Sequence, residues 1–142
     1  EAELVDNLRN DGALAVSYVA EIDEQVVGHV TYCLMDIDHP DDPGTILGLG
    51  PMAVSPEFQK QGIGRQLLIQ SLEVCTRARY SAVIVLGHPE FYAKGGFIPA
   101  SEFGINSQFD VPDEVFMARE LIPGTLNEIN STARYHPAFD GV

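Results

Sequence analysis

Apolar positions recur along this chain with two different periods. Leu4, Val5 and Leu8 fall at helical spacing, and Asn10-Asp11-Gly12 ends them with a turn signal. Leu14 to Ile22, rich in Val, Ala and Tyr, predicts a strand. Val26 to Ile37 predicts a second strand, β-branched in its first half. The polar Asp23-Glu24-Gln25 between the two makes them an antiparallel hairpin, and Gly28 inside the second strand marks a bulge. Residues 38–44 hold two prolines and three aspartates and cannot continue a ladder, so they predict a loop.

Thr45 to Val54 predicts a third strand, interrupted by Gly48, Gly50 and Pro51. Proline lacks a donor, and glycine admits bulges and the close approach of another backbone or a ligand. Ser55 to Phe58 is a turn. From Gly62 to Arg79 the period is helical: Ile63, Leu67, Ser71, Val74 and Ala78 form a stripe that Leu68, Leu72 and Cys75 widen. Ser81 to Leu86 is short and apolar throughout, the pattern of a strand covered on both faces. Strand, glycine turn, helix and apolar strand make a βαβ unit with parallel strands. Gly87-His88-Pro89 then turns, Glu90 to Lys94 allows one helical turn, and Gly95-Gly96 stops it. Phe97-Ile98 is extended, residues 99–113 are loop-like, and Val115 to Leu121 predicts the final strand. The tail to Val142 has no clear period. The expectation is a single α+β domain over residues 1–142, built on a mixed sheet.

Composition narrows the function. The 142 residues are 45% hydrophobic and 20% charged, which fits one globular domain with a real core. No apolar run is long enough to span a membrane, and no secretory leader is visible. Cys33 and Cys75 sit in apolar surroundings and read as buried free thiols, with a cytoplasmic setting as the default. Their spacing to His29 matches no metal pattern. Eight basic against 21 acidic residues give a net charge of −13. That balance argues against a nucleic-acid grip and favours a cationic substrate such as an amine. Any polyanionic ligand would then need a local device to hold it.

Gln59-Lys60-Gln61-Gly62-Ile63-Gly64-Arg65, running into the long helix, is such a device. A helix start leaves about four backbone N–H groups without partners and carries roughly half a positive charge. Gly62 and Gly64 let a phosphate come close, and Lys60 and Arg65 add charge. The spelling matches neither a P-loop nor a dinucleotide fingerprint.

The same segment resembles the Gln/Arg-x-x-Gly-x-Gly/Ala motif of the GNAT superfamily of N-acetyltransferases. Met52-Ala53-Val54-Ser55-Pro56 resembles the strand end upstream of that motif, and Phe91-Tyr92-Ala93-Lys94-Gly95-Gly96-Phe97 resembles its Phe-Tyr-x-x-x-Gly-Phe segment. Leu-Gly-His-Pro-Glu-Phe-Tyr (86–92) and Tyr-His-Pro-Ala-Phe (135–139) are similar to a subgroup of bacterial predicted acetyltransferases.

The resemblance implies a GNAT fold that lacks here the N-terminal strand and most of the first helix, because the chain opens at Glu1 already inside a helical pattern. It implies acetyl-CoA as cosubstrate, with Met52, Ala53 and Val54 along the pantetheine arm and Gln59, Lys60, Gln61, Gly62, Ile63, Gly64 and Arg65 around the pyrophosphate. A backbone N–H near Ala53 would polarise the thioester carbonyl. Tyr92 takes the general-acid position, while Phe91 and Phe97 read as core. The family's Asn after the fifth strand is absent. Thr45–Val54 and Ser81–Leu86 carry no acid, so the base is left among His88, Glu90 and water. The expected activity is direct acetyl transfer to a primary amine, on a small molecule or a protein. The alternative is a non-catalytic acyl-CoA sensor or interaction module on the same fold. Loop 38–44 and residues 99–113 are expected to shape the acceptor side. No metal is called for, and a homodimer is left open.

Overall fold

The computed structural model describes residues 2–10, 12–37, 44–127 and 129–139. Helix α1 (Ala2–Asn10) leads into strands β1 (Leu14–Ile22) and β2 (Gln25–Leu34). The hairpin turn is Asp23-Glu24, both with positive φ (50° and 65°), as a two-residue turn matched to strand twist requires. Next to Gly28 the β1–β2 register slips, Ala20 facing Gly28 and Glu21 facing Val26, so the bulge falls on Val27.

The second strand is shorter than its apolar pattern predicts. It ends at Leu34, and the Met35 N–H is donated to the Ile46 carbonyl at 2.9 Å. Strand β3 (Asp36–Ile37) then joins a different sheet. An apolar run cannot report a change of partner, because both sheets bury the same residue types. The predicted loop lies outside the described residues except for Gly44.

Strand β4 (Ile46–Val54), helix α2 (Ile63–Arg77) and strand β5 (Ala82–Leu86) form the βαβ unit, with β4 and β5 parallel. Helix α3 (Pro89–Tyr92) and strands β6 (Ile98–Pro99), β7 (Ile105–Ser107), β8 (Phe116–Glu120) and β9 (Ser131–Arg134) follow. The main sheet runs β1-β2-β4-β5-β8-β6, with every pair but β4–β5 antiparallel. The second sheet, β3-β9-β7, corrects two expectations. Residues 99–113 contain a strand, and β8 is not the last one. Strands of two to four residues are too short to carry a period, and pairing alone defines them.

Both faces of the main sheet are covered. On one face α2 packs Leu67, Leu68, Leu72 and Cys75 against Val30, Tyr32, Leu47, Val83, Val85 and Met117. On the other, Ile46, Ala82, Ile84 and Ala118 meet Ile105, Leu126, Ala133 and Tyr135 from the second sheet and its loops. Strand β5 alternates between the two, which is why it is apolar at every position. The buried stripe of α2 is Leu67, Leu68, Ser71, Leu72 and Cys75, whereas Val74 is exposed. Leu67 and Ser71 of the predicted row face the sheet together with the widening set Leu68, Leu72 and Cys75, while the row leaves the sheet at Val74. Ser71 belongs to the stripe because its hydroxyl donates to the Leu68 carbonyl (3.2 Å) and accepts from the buried Tyr32 hydroxyl at 2.7 Å.

Ser71→Ala therefore strands the Tyr32 hydroxyl in the core. It should cost about 1–3 kcal/mol in urea unfolding, and adding Tyr32→Phe should recover part of that loss.

Candidate active site

Pairing between β4 and β5 stops early. Ile46, Leu47 and Gly48 face Ala82, Val83 and Ile84, and nothing beyond Gly48 is paired. From there β4 stays with β2 as far as Val54, and β5 stays with β8, where Leu86 faces Phe116. The divergence follows from Gly50-Pro51. Gly50 adopts φ 144°, and proline offers no donor. Opposite them the β2–β4 register slips between Val30 and Tyr32, and Thr31 Oγ1 donates to the Pro51 carbonyl at 3.0 Å. The result is a fork in which the β5-facing edge of β4 has no strand partner along Leu49–Val54.

A cleft of about 630 Å³ opens beside this edge, lined by Met52, Ala53, Val54, Gln59, Gly64, His88, Phe91 and Tyr92. The predicted pantetheine residues and Tyr92 therefore face one space. At its outer end lies the start of α2. Lys60 (φ 63°) and Gly62 (φ 83°) are both left-handed, a geometry that turns successive backbone N–H groups toward one concavity. Gly62 caps the helix with no side-chain hydrogen bond. The first intrahelical bond of the turn runs from Gln66 N–H to the Gly62 carbonyl (3.0 Å), so the amides ahead of Gln66 point out of the helix end. A Cβ on Gly62 would meet nothing within 4 Å, and one on Gly64 would touch Phe91 at 3.5 Å and Val54 at 3.6 Å. Lys60 and Arg65 are exposed on either side. Two expected ligand groups have another job: Gln59 Nε2 donates to the Val54 carbonyl (3.0 Å) and Gln61 Nε2 to the Glu57 carbonyl (3.3 Å). These side chains brace the turn that presents the amides.

Tyr92 ends α3, whose start is set by Pro89 and capped by His88. Its ring lies edge-on to Phe91 (5.0 Å) and Phe97 (5.9 Å). Gly87 makes this seat: a Cβ there would come within 2.5 Å of the Tyr92 ring. Arg119 Nη1, donating to the Gly95 carbonyl at 2.8 Å, holds the following turn to β8. Burial pushes the Tyr92 hydroxyl above the ordinary phenol range, so it holds its proton at neutral pH. Phe97 is core, as expected, but Phe91 borders the cleft. Of the candidate bases, His88 lines the cleft and Glu90 does not. His29 is on β2 opposite Ala53 and does not line the Tyr92 cleft. Among the described residues, no three His, Cys, Asp or Glu side chains are grouped to hold a metal, and no helix is long and apolar enough to cross a membrane.

The chain that carries this fork is similar to known proteins. Residues 14–99 match the acetyltransferase (GNAT) domain. The chain is 33% identical over 141 residues to the uncharacterized N-acetyltransferase YhbS of Escherichia coli K12, spanning 99% of this chain and 83% of that one. It belongs to the GNAT acetyltransferase family. Within that family, the crystal structure of E. coli YhbS in complex with CoA superposes with a TM-score of 0.89 over 98% of this chain and 77% of that one, at 33% identity. A Brucella melitensis GNAT acetyltransferase in complex with acetyl-CoA gives 0.77 at 31% identity, covering 99% and 78%. The GNAT fold expected from the motifs is thus the observed one.

The second opening of the fork was not foreseen. Leu49, Gly50, Leu86, Phe109, Tyr135 and Phe139 line a cavity of about 180 Å³ on the face opposite α2. Tyr135-His-Pro-Ala-Phe139 stood out in the sequence as a motif, yet no periodicity pointed those rings at β4.

Five groups titrate late because burial disfavours their anions: Tyr32, Tyr92, Tyr135, and the thiols of Cys33 and Cys75, both pushed up to about 11. Each folded value lies above its unfolded one, so each contributes stability that is complete below the unfolded pKa and lost as pH rises. The melting temperature should hold near neutrality, then fall from about pH 8.5 as the thiols of the unfolded chain ionise, and faster above about pH 10 with the phenols. In the native protein at pH 7 neither cysteine should react with a thiol reagent within minutes.

Proposed function

We propose that this protein is an acetyl-CoA-dependent N-acetyltransferase that transfers the acetyl group to a primary amine by direct attack in a ternary complex. The observation that carries this reading is the bare edge of β4 running from the α2 N-terminus to Tyr92. An extended, amide-bearing arm pairs with such an edge as an added strand would. The pyrophosphate belongs at the Gln59–Arg65 turn, on the outward-pointing amides of Gly62–Arg65, with Lys60 and Arg65 offsetting the repulsion of a −13 chain. Met52, Ala53 and Val54 then lie along pantetheine, and an N–H near Ala53 polarises the thioester carbonyl. That relatives crystallise with CoA and acetyl-CoA supports the choice of cosubstrate.

The amine nitrogen attacks the carbonyl carbon, the C–S bond breaks, and the thiolate takes the Tyr92 proton. A thiol is a modest leaving group (pKa ~8.5), so one weak acid suffices. The extra proton left on the acylated nitrogen passes, directly or through water, to the Tyr92 phenolate and restores the phenol. Among the described residues no carboxylate lines the cleft, and His88 is the one imidazole there. This absence is also what favours the alternative, a sensor that binds acyl-CoA without turnover.

Thiol release from acetyl-CoA with an amine panel separates the two. Tyr92→Phe should lower kcat by about 10²-fold or more, with acetyl-CoA affinity retained. Thermal stabilisation by acetyl-CoA with no amine-dependent release in the wild type would establish the sensor instead. The cradle has its own test. Gly64→Ala should keep the fold and bind acetyl-CoA, because its Cβ meets only ordinary contacts. Gly64→Leu fills the cleft and should weaken binding about tenfold or more, read by calorimetry.

A further inference from the structure

Thr31 is a polar residue only 1% exposed, in the middle of β2. It stands opposite two residues of β4 at once. The register runs Val30–Met52 on one side of it and Tyr32–Leu49 on the other, so Gly50 and Pro51 share it as a partner. The ladder also fixes which way the backbone groups of β4 point. Ser55 N–H donates to the Val27 carbonyl at 2.7 Å. Antiparallel pairs alternate between bonded and non-bonded, so Gly28–Val54 is a non-bonded pair, His29–Ala53 a bonded one, and Val30–Met52 again non-bonded. The Ala53 N–H is therefore committed to β2. The Met52 N–H points the other way, across the edge that has no strand partner and into the cleft that Met52 lines. The Pro51 carbonyl belongs to the same trans peptide unit as the Met52 N–H, and in such a unit the two point in opposite directions. That carbonyl is where the Thr31 hydroxyl donates, at 3.0 Å. The same alternation hands it the Thr31 N–H, so the hydroxyl is its second donor.

We propose that Thr31 is a positioning residue for acyl transfer: its hydroxyl, bonded to the Pro51 carbonyl, aims and polarises the Met52 N–H that receives the thioester oxygen. The proposal rests on the acetyltransferase reading and names the side chain that stands behind its oxyanion donor. The peptide needs such a hold. On its other flank Gly50 has no side chain to restrain the strand, and Pro51 has no N–H to give back to β2. A carbonyl that accepts a hydrogen bond also makes the N–H of its own peptide a stronger donor, because bonds in series polarise one another. The hydroxyl lies on the β2 side of β4, so it acts through the peptide and touches neither substrate. A buried threonine serves here where valine, of nearly the same shape, would fill the space but supply no donor.

The test is read on bound acetyl-CoA and needs no acceptor. Infrared difference spectra are taken with acetyl-CoA carrying carbon-13 at the thioester carbonyl. In the wild type the band should lie at lower wavenumber than in free solution, since a donated hydrogen bond weakens the C=O. Thr31→Val should move the band back toward its free position, and Thr31→Ser, which keeps the hydroxyl, should leave it in place. Thr31→Ala also removes the hydroxyl but relieves the packing, so one folded variant of the two suffices. In turnover with the amine panel, Thr31→Val should lower kcat about three- to tenfold with the KM for acetyl-CoA unchanged within about twofold. That is less than the roughly 10²–10³ of losing an oxyanion donor outright, because the Met52 N–H is still present. A merely structural role would lower the melting temperature of the valine and alanine variants without moving the band. If the band of the folded variant coincides with that of the wild type, or the wild-type band matches free acetyl-CoA, the assignment to Thr31 falls and the acetyltransferase reading stands. If acetyl-CoA neither binds nor stabilises the wild type, the acetyltransferase reading falls and takes this one with it.

Discussion

Everything of chemical interest here depends on two parallel strands parting after three residue pairs. A continuous ladder between β4 and β5 would satisfy every backbone group and leave no room for a ligand. Instead Pro51 withholds a donor, Gly50 bends the strand, and Thr31 fastens the displaced carbonyl of Pro51. The strands stay in place because each keeps its outer partner, β2 for one and β8 for the other. The fork is thus held open by the rest of the sheet.

The two openings of that fork differ in character. On the α2 side, a backbone edge, a helix end and exposed cations offer polar contacts to an extended anionic molecule. On the opposite side, rings and aliphatic groups offer almost none. Between them stand two hydroxyls raised in pKa by burial, Tyr92 on the polar side and Tyr135 on the apolar one. Each keeps its proton at neutral pH, because burial disfavours the phenolate.

Packing explains why the site is rigid. Tyr92 is fixed by Gly87, Phe91, Phe97 and the Arg119 bond to the next turn. Helix α2 is locked to β2 through Ser71 and Tyr32, so the amides at its start keep their place relative to β4. Gln59 and Gln61, expected to touch the ligand, tie the intervening turn to its own backbone. Preorganised donors of this kind need no rearrangement when charge arrives.

Long elements were legible in the amino-acid sequence. The hairpin, the βαβ unit and α2 carry enough periods for local pattern to decide them, and the Gln59–Arg65 motif with Phe91–Phe97 locates the polar side of the fork. The end of β2 at Leu34, the small strands β3, β7 and β9, and the approach of Phe109, Tyr135 and Phe139 to β4 were not legible. Residues so far apart meet only because the second sheet folds over the first, and no local period records that contact. The sequence alone marked the glycine turn that opens α2 and the tyrosine that lines the cleft. Tertiary structure decided where the strands part, how the turn is braced, and what chemical surroundings lie on the far side, since those depend on pairing and packing between distant segments.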